Sequence, residues 1–118
     1  MEFSEQAKRL RVLVCEHDHH GPIPLYEWIV LKARELGMAG ATVTKGVMGY
    51  GSRGRLHRKE VYRMSTDEPV VVEITDTEEK ILRMLPVIDE FVHGGLTTLE
   101  DVVIIHHRTP QPDLVQAG

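Results

Sequence analysis

The chain has 118 residues and a formal net charge of −4, with 42% apolar, 27% charged and 5% aromatic residues; that is room for one domain with an aliphatic core, too little for two, and an acidic balance that argues against general affinity for nucleic acid. A single cysteine, Cys15, excludes an internal disulfide and suits a reducing cytoplasm. Residues 1–6 carry no apolar signal core and no apolar run approaches membrane-spanning length, so a soluble, cytoplasmic protein is expected.

Residues 10–16 read as a first strand, and residues 17–24 as a loop with two prolines and a glycine. Residues 25–36 predict a helix, because Leu25, Trp28, Ile29, Ala33 and Leu36 fall on one face at helical spacing. Pro24 suits its first turn and Gly37 its C-terminal cap. Residues 41–48 read as a second strand, in which Gly46 marks a bulge or a point of close approach.

The run Gly49-Tyr50-Gly51-Ser52-Arg53-Gly54 that follows spells G-x-G-x-x-G. A dinucleotide fingerprint needs an apolar helix directly afterwards, so that the helix N-terminus meets the pyrophosphate. The chain instead continues through Arg55, His57, Arg58, Lys59 and Arg63, polar and basic, and the dinucleotide reading fails. What remains is a glycine-rich cationic loop. Between residues 45 and 63 the charges are Lys45, Arg53, Arg55, Arg58, Lys59 and Arg63, opposed only by Glu60.

Residues 69–74 form a third strand, almost continuously apolar and therefore central. Asp76 reads as the N-cap of a second helix, with Glu79 three residues on. Ile81, Leu82, Leu85, Ile88, Phe91 and Val92 continue its apolar face to Gly94 and Gly95, and Pro86 inside it predicts a kink. Residues 101–106 read as a last strand. The body of the domain is then 9–107, with 1–8 and 108–118 as flexible tails.

The order β-α-β-β-α-β is the α+β, ferredoxin-like plan with a four-stranded antiparallel sheet. Its two helices cover one face only. Leu10, Val12 and Val14 nevertheless alternate with Leu13 and Cys15, and the third and fourth strands are apolar on both faces. The second face therefore calls for cover from another subunit, and an oligomer is expected.

Several segments resemble the PII-like family catalogued as a domain of unknown function, number 190, within the nitrogen regulatory PII superfamily. They are Pro24-Leu25-Tyr26, the run from Ala33 to Val43, and Lys45-Gly46-Val47-Met48-Gly49-Tyr50-Gly51. Residues 69–74 with Asp76, Lys80-Ile81, Leu85-Pro86 and residues 95–102 agree, so that the likeness spans about residues 9–107. The resemblance implies a homotrimer whose sheets pack face to face, a loop over residues 50–63, and an adenine nucleotide in clefts between subunits near the base of that loop. The loop would then engage transporters or enzymes. One departure is that Ile23, where the family usually carries a basic residue, precedes Pro24; this puts a phosphate contact from that position in question.

Within the glycine-rich loop, backbone N–H groups can form an anion nest and arginine offers a two-pronged fork for phosphate. Gly46, Gly49, Tyr50, Gly51, Arg53 and Arg55 are the candidate nucleotide- or anion-binding residues, and Arg58 and Lys59, further out, are candidates for contact with a protein partner. His17, Asp18, His19 and His20 are ligand types for zinc or nickel, with His57, His106 and His107 as further contributors. The plainer reading of that segment, a polar surface loop, is the one the residues favour. No catalytic set emerges. Cys15 lies mid-strand without a base, Asp76 is explained as a cap, and Ser52 lacks a His–Asp pair. Glu16 and Glu73 are able to face a ligand, but nothing in the sequence pairs them. Trp28 reads as core.

The expectation is a non-enzymatic PII-like signal-transduction protein that requires no cofactor. It binds ATP, ADP, AMP or a cyclic nucleotide between subunits and regulates a partner, a membrane transporter or channel, through its basic loop. One alternative is a metal-tolerance protein of the similarly folded CutA type, using His17, His19 and His20. Another, with less behind it, is a small enzyme acting on a phosphorylated compound.

Overall fold

A computed structural model describes residues 5–49 and 68–107. The elements in chain order are β1 (Glu5–Cys15), β2 (His19–His20), β3 (Ile23–Pro24), α1 (Leu25–Glu35), β4 (Thr42–Lys45), β5 (Pro69–Thr77), α2 (Glu78–Phe91) and β6 (Leu96–Ile104). The main sheet has the order β4-β5-β1-β6, every neighbouring pair antiparallel. This is the expected ferredoxin-like α+β fold, with β5 inside the sheet as its apolar run requires.

Register explains the core. Leu10, Val12 and Val14 of β1 lie directly opposite Ile74, Val72 and Val70 of β5, and these six side chains are 0–2% exposed. α1 sets Leu25, Ile29 and Ala33 on this aliphatic mat and α2 sets Ile81, Met84 and Ile88. Each fully buried aliphatic side chain contributes about 1.5–3 kcal/mol, so this layer dominates stability. Among the described residues, no helix is long and apolar enough to cross a membrane.

The α1 end follows its sequence signals. Gly37 has φ +84°, its N–H donates to the Arg34 carbonyl, and the Met38 N–H reaches back to the Ala33 carbonyl. This is the paired closure of a glycine-ended helix.

Four expectations are corrected. β1 begins at Glu5, so residues 5–8 belong to the sheet and not to a tail. The cap of α2 is Thr77, whose side chain accepts from the Lys80 N–H. Asp76 stays in β5, 7% exposed, and accepts from the Ala39 and Thr77 amides, tying the α1–β4 connection to the sheet. β6 runs from Leu96 to Ile104, earlier at both ends than 101–106. The segment 17–24 contains the short β2–β3 ladder, pairing His19 with Pro24 and His20 with Ile23.

The face of the sheet away from the helices is not uniformly apolar. Leu13 and Val71 face each other there, flanked by Arg11 opposite Glu73 and Arg9 opposite Glu100. Arg11 bonds Glu73 at 2.9 Å and Arg9 bonds Glu100 at 2.8 Å, while Arg11 also lies 3.9 Å from Glu100. Of the residues expected to demand cover, Leu13, Cys15 and Val71 are half-buried within the single chain, whereas Val103 and Ile105 of the expected last strand are exposed.

Candidate functional site

The end of β4 and the start of β5 are the two roots of the cationic segment, and they lie side by side. β4 and β5 pair with Lys45 opposite Val70. One residue further, the Gly46 N–H donates to the Pro69 carbonyl at 2.6 Å. A Cβ on Gly46 would come within 2.7 Å of Pro69 Cγ, and one on Gly49 within 3.2 Å of the same atom. Gly46 is thus the expected point of close approach, and the cause is the proline ring against the backbone of the first root. The second strand ends at Lys45, short of the expected Met48. Beyond it Val47 and Met48 stand exposed at 94% and 64%. Tyr50, Gly51, Arg53, Arg55, Arg58 and Lys59 lie outside the described residues.

The roots are joined through a residue that the sequence left without a partner. Glu16, just after β1, receives the Lys45 ammonium on Oε1 at 2.7 Å. Its other oxygen accepts from the Glu68 N–H at 3.4 Å, and its own N–H donates to the Glu68 carbonyl at 2.9 Å. The hydrogen bond from Lys45, then that from Glu68, holds the Glu16 carboxyl below the usual carboxylate range, and the Glu16 hydrogen bond raises Lys45. Glu73, too, has a partner: it accepts a hydrogen bond from Arg11. What sequence reasoning missed is the pairing of Lys45 with Glu16 and the part that Glu68 plays in it. The available signal was the position of Lys45 immediately before the glycine run.

At the same end of the sheet, on its opposite edge, the turn from α2 into β6 borders an open groove of about 530 Å³. Leu85, Ile88 and Val92 form its apolar side, with Asp89 and His93 among the polar groups around it. Gly95 enters this turn at φ +77°, with its α-carbon packed so closely on the Leu13 carbonyl that a Cβ would collide with it. A second groove, about 720 Å³, crosses the open face at the far end, between Arg9, Thr75 and His106.

The histidine segment is folded rather than splayed toward an ion. Asp18 closes a turn by accepting from the Cys15 N–H at 3.0 Å, and the Leu25 N–H donates to the Asp18 carbonyl at 2.7 Å. His19 Nδ1 meets the His17 carbonyl at 2.6 Å. His20 turns inward, its ring 4.5 Å from Trp28 and 5.3 Å from Phe91. Trp28, expected as core, is half-buried in this ring cluster with Lys32 above it. His17, His19 and His20 are therefore not brought together, and among the described residues no group of three or more His, Cys, Asp or Glu is arranged for a metal ion.

The chain is similar to several known proteins. A UPF0166 protein of Aquifex aeolicus is 39% identical over 99 residues, spanning 84% of this chain and 93% of that one. The UPF0166 protein MJ1524 of Methanocaldococcus jannaschii is 36% identical over 105 residues, 88% of this chain and 96% of the relative. Among solved structures, CPII from Thiomonas intermedia K12, a nitrogen regulatory PII-like protein bound to ADP, AMP and bicarbonate, superposes with TM-score 0.61. That match covers 86% of this chain and 91% of CPII at 18% identity, which makes it a likeness of fold. The family model described as DUF190, Uncharacterized ACR, COG1993, matches residues 7–104, and with these relatives the chain belongs to that family, on a PII-like fold.

Proposed function

We propose that this chain is a PII-like regulatory protein that binds an adenine nucleotide between subunits and signals through the cationic segment 50–63. The observation that carries this reading is the position of that segment's two roots. Lys45–Gly49 and Glu68–Pro69 meet at the sheet end that also holds the glycine-turned groove after α2. A fold shared with a PII-like protein bound to ADP and AMP supports the choice of ligand.

Assembly as a trimer, open face to open face, is part of the same proposal. The half-buried Leu13, Cys15 and Val71 gain from further cover, and the Arg9–Glu100 and Arg11–Glu73 pairs supply a charge pattern that fixes register. Nucleotide occupancy then biases segment 50–63 toward the state that docks on a partner, for which a membrane transporter or channel is the proposed class. The bias requires different nucleotide affinities in the two states of the segment.

Calorimetric titration of the full chain with ATP, ADP, AMP and cyclic AMP tests the reading. Saturable heat with at least one of them is expected. Absence of heat with all four overturns the nucleotide half.

A further inference from the structure

Lys45 is the last residue of β4 and directly precedes Gly46. Its ammonium stands at the root of the segment, with about half of its side chain open to solvent, against Glu16. Glu16 does two things at once. Oε1 receives Lys45 from the first root, while Oε2 and the backbone N–H hold Glu68 at the second. One carboxylate thus staples both roots to the end of β1.

We propose that Lys45 is an anion-contacting residue at this root and that Glu16 is its built-in competitor, so that a phosphate group binds by taking Lys45 from Glu16. This rests on the reading of the root as an anion site and names the residue through which occupancy is felt. A partly exposed ion pair is weak and readily exchanged. A phosphate carries more charge and more acceptor oxygens than a carboxylate, and so makes the stronger partner for an ammonium. When Lys45 leaves, the Glu16 carboxylate loses the cation that orients it, and its Oε2 contact with the Glu68 amide loosens. Binding at the first root is thereby communicated to the second without any movement of the sheet.

The experiment is a double-mutant cycle on the full chain, with affinities for ADP and for inorganic pyrophosphate measured by calorimetry and folding checked by thermal melting. Glu16→Gln keeps an acceptor for the Glu68 amide but removes the competing charge; it should tighten binding about two- to fivefold, the scale of an exposed ion pair. Lys45→Met should weaken binding about tenfold. In the Lys45→Met background the gain from Glu16→Gln should vanish. If Glu16 merely repels anions through space, the gain survives in that background and the proposal is overturned. An unchanged or weaker affinity in Glu16→Gln alone also overturns it. The pyrophosphate arm separates the two readings: pyrophosphate binding that follows this cycle, with no binding of ADP, removes the nucleotide assignment and leaves the exchange intact. Failure of pyrophosphate and ADP to bind either wild type or Glu16→Gln removes the exchange.

Discussion

On one side of the sheet, Leu10, Val12 and Val14 meet Ile74, Val72 and Val70 under two helices; on the other, the neighbouring residues Arg9 and Arg11 meet Glu100 and Glu73 in the open. Both faces are read from the same central strand, β1, shifted by a single residue. The closed face is dry and aliphatic, and it makes the fold stable. The open face alternates half-buried apolar side chains with ion pairs worth about 0–1 kcal/mol each, and so adds little to stability. What it adds is pattern. Charged pairs at fixed register admit one way of meeting another surface and penalise the rest.

Substitutions on the two faces should therefore separate stability from assembly. The largest effect is expected from Ile81→Ala, which opens a cavity under α2 at a residue that is 0% exposed. Denaturant unfolding should show a loss of about 2–5 kcal/mol, and a loss below about 1 kcal/mol would mean that the closed face is not the stabilising one. Gly95→Ala comes next, because a side chain there meets the Leu13 carbonyl at positive φ. About 1–3 kcal/mol is expected from the strained backbone alone, read by the same unfolding curve.

Arg11→Glu should behave in the opposite way. It places a third carboxylate beside Glu73 and Glu100, and like charges so placed repel. Unfolding of the single chain should shift by about 1 kcal/mol or less, whereas sedimentation should show weakened self-association. An assembly untouched by Arg11→Glu would free the open face from the interface.

The smallest effect is electrostatic and lies at the segment root. The folded-state pKa of Glu16 is depressed below its ordinary value of 4.5. Its contribution is therefore complete above that pH and disappears as pH falls through the lowered value. Wild type and Glu16→Gln should differ slightly in thermal midpoint near neutrality and converge in acid. A difference that grows on acidification would contradict the Lys45–Glu16 pairing.

The elements with strong periodicity were legible. α1 is found within one residue of the expected span, and β5 lies inside the sheet as its valine run demands. The misses have local causes. The start of β1 holds Gln6 and Lys8 around the small Ala7, so no apolar alternation marks it as a strand. β6 is an edge strand whose first half, with Thr97, Thr98 and Glu100, faces too little core to need an apolar run. Asp76 and Thr77 are both good caps by type. Tertiary structure decided between them, because Asp76 is drawn inward by the Ala39 amide, leaving Thr77 to the helix. At the site, Gly46 was legible as a position of close approach. The Glu16–Lys45 pair was not, because its partners are 29 residues apart and meet only through the register of β1, β5 and β4.

In the proposed arrangement, subunits assemble through the open face and hold a nucleotide at the segment root. Native mass spectrometry of the full chain incubated with ADP reads both in a single spectrum. A trimer that gains mass in steps of one ADP, up to one per subunit, is the predicted result; a monomer that carries no ADP at any concentration would contradict it.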